Sequence, residues 1–145
     1  MAGTIGAAVQ LMRPKNLILA GATVPLGAFF ALQDPNASFP LLTVLLHTLA
    51  VMFFMGAGNA MNDIKDAEID LKAHPQRPIP SGAIGVDDAK RFTSLLWVLS
   101  VGAHIGGLLS VSELDVETVA PTVIIYIIAA LLMVTYDHGP ATKNK

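Results

Sequence analysis

Between two apolar stretches of the chain lies Asn62-Asp-Ile-Lys-Asp66-Ala-Glu-Ile-Asp70, whose carboxylates recur at helical spacing. With about 100° of rotation per residue and Asn62 at zero, Asn59 falls at roughly 60°, Asp66 at 40°, Asp70 at 80° and Asp63 at 100°. Lys65, Glu68 and Lys72 fall at roughly 300°, 240° and 280°. An unbroken helix through these residues therefore presents two amides and three carboxylates on one face, with ordinary charged pairs opposite. Like charges at i, i+4 destabilise a bare helix, and a helix C-terminus favours positive charge. A divalent cation resolves both conflicts. Magnesium takes hard oxygen ligands and typically binds through one or two carboxylates together with substrate phosphates. Asp66 and Asp70, one helical turn apart, suit that role, with Asn62 as a neutral ligand or a donor to a phosphate oxygen. The alternative is a solvated helix end that holds nothing, and the carboxylate face weighs against it.

The next segment is His74-Pro-Gln-Arg77-Pro-Ile-Pro80-Ser-Gly82. Its prolines predict an extended path with a turn at Pro80-Ser-Gly. A rigidly held guanidinium at Arg77 suits bidentate phosphate recognition, and the competing reading is a simple topology anchor. His74 reads as solvated. Asp87 or Asp88 is the expected N-cap of the helix that follows, with Lys90 and Arg91 at the membrane interface.

The elements that must hold these residues are apolar. The chain has 145 residues, 53% hydrophobic and only 14% charged, with a mean hydropathy of +0.60. Soluble domains carry about 25% charged residues, so the bilayer is the more plausible solvent. Apolar runs at Leu17–Leu32, Leu41–Met61, Phe92–Val111 and Thr118–Tyr136 approach the roughly 17–25 residues that a span needs. The first is short unless it borrows from Met12–Asn16, and Pro25 is placed to kink it. A soluble all-α bundle would need polar stripes of helical period, which Leu41–Met55 and Val123–Val134 lack. The expected fold is thus an all-α, polytopic transmembrane helical bundle. Met1–Met12 is mildly amphipathic and is expected along the membrane interface.

All nine basic residues lie before the first span, between the second and third, or after the fourth. Lys and Arg concentrate in cytoplasmic loops, which places both ends of the chain and the loop 62–91 in the cytoplasm of a multi-pass cell-membrane protein. Arg13 and Lys15 before an apolar run imitate a signal peptide, but the lead-in is long and cleavage would leave an odd number of spans. A net charge of −2 and a pI near 6.0 argue against a nucleic-acid partner, and the absence of cysteine excludes disulfides and thiolate chemistry. Gly102-x-x-x-Gly106, with Gly107 beside it, would allow close helix approach. His47 and His104 read as histidines bonded to backbone carbonyls, and Trp97 and Tyr126 as packing residues.

Asn62-x-x-x-Asp66-x-x-x-Asp70, Arg77-Pro-Ile-Pro-Ser-Gly82 and Arg13-Pro-Lys-Asn16 together resemble the UbiA-type intramembrane prenyltransferases. The Arg77–Gly82 form and the terminal Tyr136…Lys143-Asn-Lys145 most resemble the archaeal branch that acts on geranylgeranylglycerol phosphate. Such enzymes are bundles of eight or nine spans with a second Asp-rich loop, so residues 1–145 correspond to the N-terminal half of one such domain. The resemblance implies Mg2+ on Asn62, Asp66 and Asp70, which are also the catalytic set. Arg77, Lys143, Asn59 and Asp63 make up the set facing diphosphate and phosphate. The implied reaction is transfer of an isoprenyl group, geranylgeranyl in that branch, from its diphosphate to a membrane-lipid acceptor. Other readings are an aromatic or tetrapyrrole acceptor of the 4-hydroxybenzoate or chlorophyll type, a membrane cation-binding protein, and a non-catalytic half-unit that works with a partner half or as a homodimer.

Overall fold

A computed structural model of the chain describes residues 2–32, 38–111 and 114–136. Among the described residues all regular structure is helical: α1 (Ala2–Met12), α2 (Pro14–Ala31), α3 (Leu41–Lys65), α4 (Ala67–Ala73), α5 (Val86–Leu109) and α6 (Val116–Tyr136). α3 and α5 are each long and apolar enough to cross a membrane, and α6 contains a shorter apolar stretch, Val119–Thr135. The chain divides into two units, Met1–Ser110 and Val111–Lys145.

In the first unit α3 is the central helix, and α1, α2 and α5 pack on it. Its surface alternates small residues with larger ones, so neighbouring backbones come close. A Cβ at Gly21 of α2 would lie 2.9 Å from Met52 Sδ, and one at Gly56 would lie 3.0 Å from Met12 Cε and 3.5 Å from Leu96 Cδ1. α5 runs antiparallel to α3. Thr43 pairs with Ser110, His47 with His104, Ala50 with Ser100, and Phe54 with Trp97, whose rings meet edge to face at 5.1 Å. The Ser100 hydroxyl donates to the Ala50 carbonyl at 2.8 Å, which satisfies a buried polar group where no water reaches.

Of the three glycines that the sequence offers for close approach, Gly106 and Gly107 face α3 and Gly102 does not. Nothing lies within 4 Å of a Cβ at Gly102, whereas one at Gly107 would collide with the His47 imidazole. Antiparallel packing turns Gly106 and Gly107 toward α3 and leaves Gly102 on another side of the helix.

α1 is more than an interfacial strip. Ala7 and Leu11, one turn apart, are buried in a cluster with Ala60 of α3, Ala89 of α5, and Ile79 and Ile84 of the connecting segment. Proline at the first position of α2 stops α1 from continuing straight through, since Pro14 lacks the N–H and restricts the residue before it. Pro25 lies inside α2 without ending it.

The segment from Ala73 to Val86 is folded into tight turns instead of an extended path. Arg77 N–H donates to the His74 carbonyl, Ser81 N–H to Arg77 and Ile84 N–H to Pro78. The expected turn after Pro80 is present, with Gly82 in the left-handed region at φ 75°. Burial of Ile79 and Ile84 against α1 and α3 draws the loop back onto the bundle. α5 begins with Gly85 as its N-cap, without a side-chain cap. Asp87 and Asp88 instead lie in its first turn, near Lys90 and Arg91, where their charge still suits the helix dipole.

In the second unit, α6 carries Pro121 within its first turns, and Ile124, Ile125, Ile127, Ile128, Leu131 and Leu132 are exposed along it.

Candidate functional site

The helix carrying the carboxylates does not run unbroken to Asp70. α3 ends at Lys65, Asp66 sits at the joint with φ −82° and ψ 3°, and α4 restarts at Ala67. Local hydrogen bonding persists on both sides: Asp66 N–H donates to Asn62 at 2.9 Å and Asp70 N–H to Asp66 at 2.8 Å. Along a straight helix Asp63 and Asp70 would stand about 10 Å apart in rise. Here one guanidinium nitrogen reaches both. Arg77 Nη1 donates to Asp70 Oδ2 at 2.5 Å and lies 3.7 Å from Asp63 Oδ1.

A second arginine completes the cluster. Arg13 Nη2 donates to Asp63 Oδ1 at 2.6 Å. The result is a chain of ion pairs, Arg13–Asp63–Arg77–Asp70, assembled from the α1–α2 turn, α3, α4 and the loop before α5. The Asp63 and Asp70 side chains are 7% and 5% exposed, those of Arg13 and Arg77 39% and 31%. Carboxylates this deep require cationic or hydrogen-bonding partners, because an unpaired buried charge is strongly destabilising.

Arg13 is held in an unusual way. Its backbone adopts the left-handed conformation, φ 55° and ψ 72°, alone among the described non-glycine residues. That conformation costs about 1–2 kcal/mol for a residue with a Cβ. Three neighbours enforce it: Pro14 opens the next helix, Leu11 is fully buried, and Asn59 Nδ2 donates to the Met12 carbonyl at 2.9 Å. The strained turn aims the guanidinium at Asp63.

The cluster therefore joins Asp63, Asp70 and Arg77 of the sequence-derived set. It adds Arg13, which charge placement alone marks only as a topology signal. Arg-Pro at a helix–helix junction was the available clue, since a residue before proline is disfavoured in the right-handed helical region. Asn59 works on the chain's own backbone in this structure, and Asp63 meets two guanidinium groups. Asn62 and Asp66 are partly buried beside the cluster. Lys143 lies outside the described residues.

Among the described residues no three acidic or histidine side chains converge as a preformed metal cage. The donor chemistry nevertheless fits magnesium, which draws on one or two carboxylates and takes its other oxygens from water and phosphate. Asp66 and Asp70 bracket one turn of backbone and supply hard oxygens of the required kind.

Comparison with known proteins gives the family. A model of the UbiA prenyltransferase family matches residues 20–140. The chain is 44% identical over 102 residues to the digeranylgeranylglyceryl phosphate synthase of Methanobrevibacter smithii, an overlap of 70% of this chain and 33% of that one. The enzyme of the same name from Methanosarcina mazei is 38% identical over 108 residues, covering 68% of this chain and 37% of that one. A solved structure from work on digeranylgeranylglyceryl phosphate synthase in membranes superposes with a TM-score of 0.69 at 28% identity, over 92% of this chain and 44% of that one. The chain thus spans about a third of the length of the curated relatives it matches. Matched over most of its length and folded like a solved relative, it belongs to the UbiA prenyltransferase family, a family of integral membrane proteins.

Proposed function

We propose that this chain is the N-terminal half of a membrane enzyme that transfers a geranylgeranyl group from its diphosphate to geranylgeranylglycerol phosphate. The observation that carries the reading is the buried Arg13–Asp63–Arg77–Asp70 cluster at the end of the apolar helix α3, in a chain whose relatives are named for this product. Ionisable groups at such a depth mark a functional site by default.

In this reading Asn62, Asp66 and Asp70 hold Mg2+, which when bound neutralises the diphosphate and makes it a better leaving group. Arg77, together with Lys143, contacts phosphate oxygens, a task suited to the planar guanidinium. Asp63 holds both arginines in place, and Asn59 holds the turn that presents Arg13. The apolar faces of the spans take the isoprenoid tail and exclude water from the reacting carbon. The allylic C–O bond breaks with its electron pair leaving on diphosphate, the acceptor hydroxyl oxygen bonds to that carbon, and the hydroxyl proton passes to the released diphosphate. The basic residues of the loop 62–91 and of both ends of the chain then face the cytoplasm.

The test is prenyl transfer by the complete protein in membranes. Asp66→Ala and Asp70→Ala should each lower transfer about a hundredfold or more while leaving membrane insertion intact. Near-normal turnover of either variant with magnesium present would overturn the assignment. A preference for an aromatic acceptor over geranylgeranylglycerol phosphate would overturn the acceptor but not the metal site.

A further inference from the structure

The two arginines of the cluster are held differently. Arg13 is anchored by a strained turn, a buried neighbour at Leu11 and the Asn59–Met12 hydrogen bond. Arg77 stands on the loop between α4 and α5, with its backbone fixed through buried Ile79 and Ile84 but its side chain about a third exposed. Both side chains are partly open, 39% for Arg13 and 31% for Arg77, and Arg77 is the one that covers Asp70. Its guanidinium contacts the carboxylate of Asp70, one of the residues read above as a metal ligand, and does so at 2.5 Å.

The ion pairs join two cations to two carboxylates, and Asp66, the other carboxylate read as a ligand, lies one turn of chain from Asp70. A divalent ion arriving at Asp70 while Arg77 remained would face a guanidinium at contact distance, where low polarity strengthens repulsion. Departure of Arg77 alone would strand a carboxylate that is almost wholly buried. A bare ion must compete with the Arg77 guanidinium for the Asp70 carboxylate, whereas an anion that arrives with the metal removes that competition. A diphosphate does this, because it offers Arg77 a new bidentate partner just as the ion takes over Asp70.

We propose that Arg77 is a placeholder for the metal at Asp70, released by the diphosphate, so that ion and diphosphate enter as one complex while the bare ion binds weakly. This rests on the metal-dependent reading above and adds an order of binding to it. The site resists loading by metal alone, and Asp70 keeps a cationic partner until substrate arrives.

The experiment measures binding without turnover. Mn2+ would be titrated into the complete protein in lipid nanodiscs, alone and as its pyrophosphate complex, and followed by water-proton relaxation enhancement. The wild type should bind the complex about tenfold more tightly than the bare ion. Arg77→Gln should bind bare Mn2+ about tenfold more tightly than the wild type, and the complex more weakly; tenfold corresponds to about 1.4 kcal/mol. Arg77→Lys, which keeps the charge, should bind the bare ion about as weakly as the wild type. Those opposite shifts are not available to a residue that merely holds the loop, whose loss would weaken both. Equal or weaker binding of bare Mn2+ by Arg77→Gln, with wild-type binding intact, would overturn the placeholder and spare the metal site. Tight binding of bare Mn2+ by Arg77→Lys would also overturn it. No binding of either probe by the wild type would overturn the metal reading and this inference together.

Discussion

The two ends of α3 both carry polar side chains in an apolar helix, and they use them for opposite purposes. At the C-terminal end, Asp63 gathers Arg13 and Arg77, and residues fifty positions apart in the chain meet through charge. About 24 Å away along the helix, His47 packs its ring 5.3 Å from that of His104 and against Gly107, while Thr43 and Ser110 share a hydrogen bond of 2.7 Å. The first end stores paired charge beside a loop and a strained turn. The second has no charged group among these partners and joins only α3 and α5. Neutral polar pairs between helices tie spans together at modest gain, whereas buried ion pairs rarely add stability over an apolar core. Charge retained at depth is thus a sign of chemistry, and a neutral polar seam is a sign of packing.

Mutations at each end should separate these roles. The largest effect on stability is expected at Asp63→Ala, which takes the carboxylate from Arg13 and leaves Arg77 with Asp70 alone. Loss of one partner from a buried pair costs about 3–5 kcal/mol, and the partly exposed arginines place this case near about 3. Unfolding in mixed detergent micelles would measure it, and an effect smaller than that of an exposed-residue control would break the contrast. Next comes Gly107→Ala at the other end. Its methyl group must displace the His47 ring, an overpacking cost of about 1–3 kcal/mol. Binding of the Mn2+–pyrophosphate complex per folded molecule should be unchanged, and a parallel loss of binding would show that the two ends are coupled. The smallest effect sharpens the ionic end itself. Arg13→Ala and Arg13→Gly lose the same ion pair, but glycine accepts the left-handed backbone. Arg13→Gly should therefore be more stable than Arg13→Ala by about 1 kcal/mol. Equal stabilities would mean that the turn is not strained.

Much of this architecture can be read from residue types alone. Long apolar runs without polar stripes imply membrane helices, and α3 and α5 appear where the runs Leu41–Met61 and Phe92–Val111 place them, each extended by several residues into polar sequence. The Asn62–Asp70 pattern marks the candidate site because carboxylates at helical spacing beside an apolar helix repel one another until a cation joins them. Helical periodicity also carries errors. It extends one straight helix through Asp66, where the chain breaks and restarts, and it includes Gly102, which meets nothing, with Gly106 and Gly107, which face α3. It assigns the N-cap of α5 to an aspartate, although Gly85 takes that place.

Local composition was enough to indicate the solvent of the helices and the segment that holds the acids, because hydropathy and short-range spacing are properties of neighbouring residues. The family came from the resemblance of three motifs taken together. Which cation meets which carboxylate was settled only by packing. Arg13 reaches Asp63 across fifty residues because Leu11, Pro14 and Asn59 shape a left-handed turn. Arg77 reaches both acids because Ile79 and Ile84 fold its loop back onto α1 and α3. Each contact depends on where separate helices cross, and no periodicity within a single helix encodes that crossing.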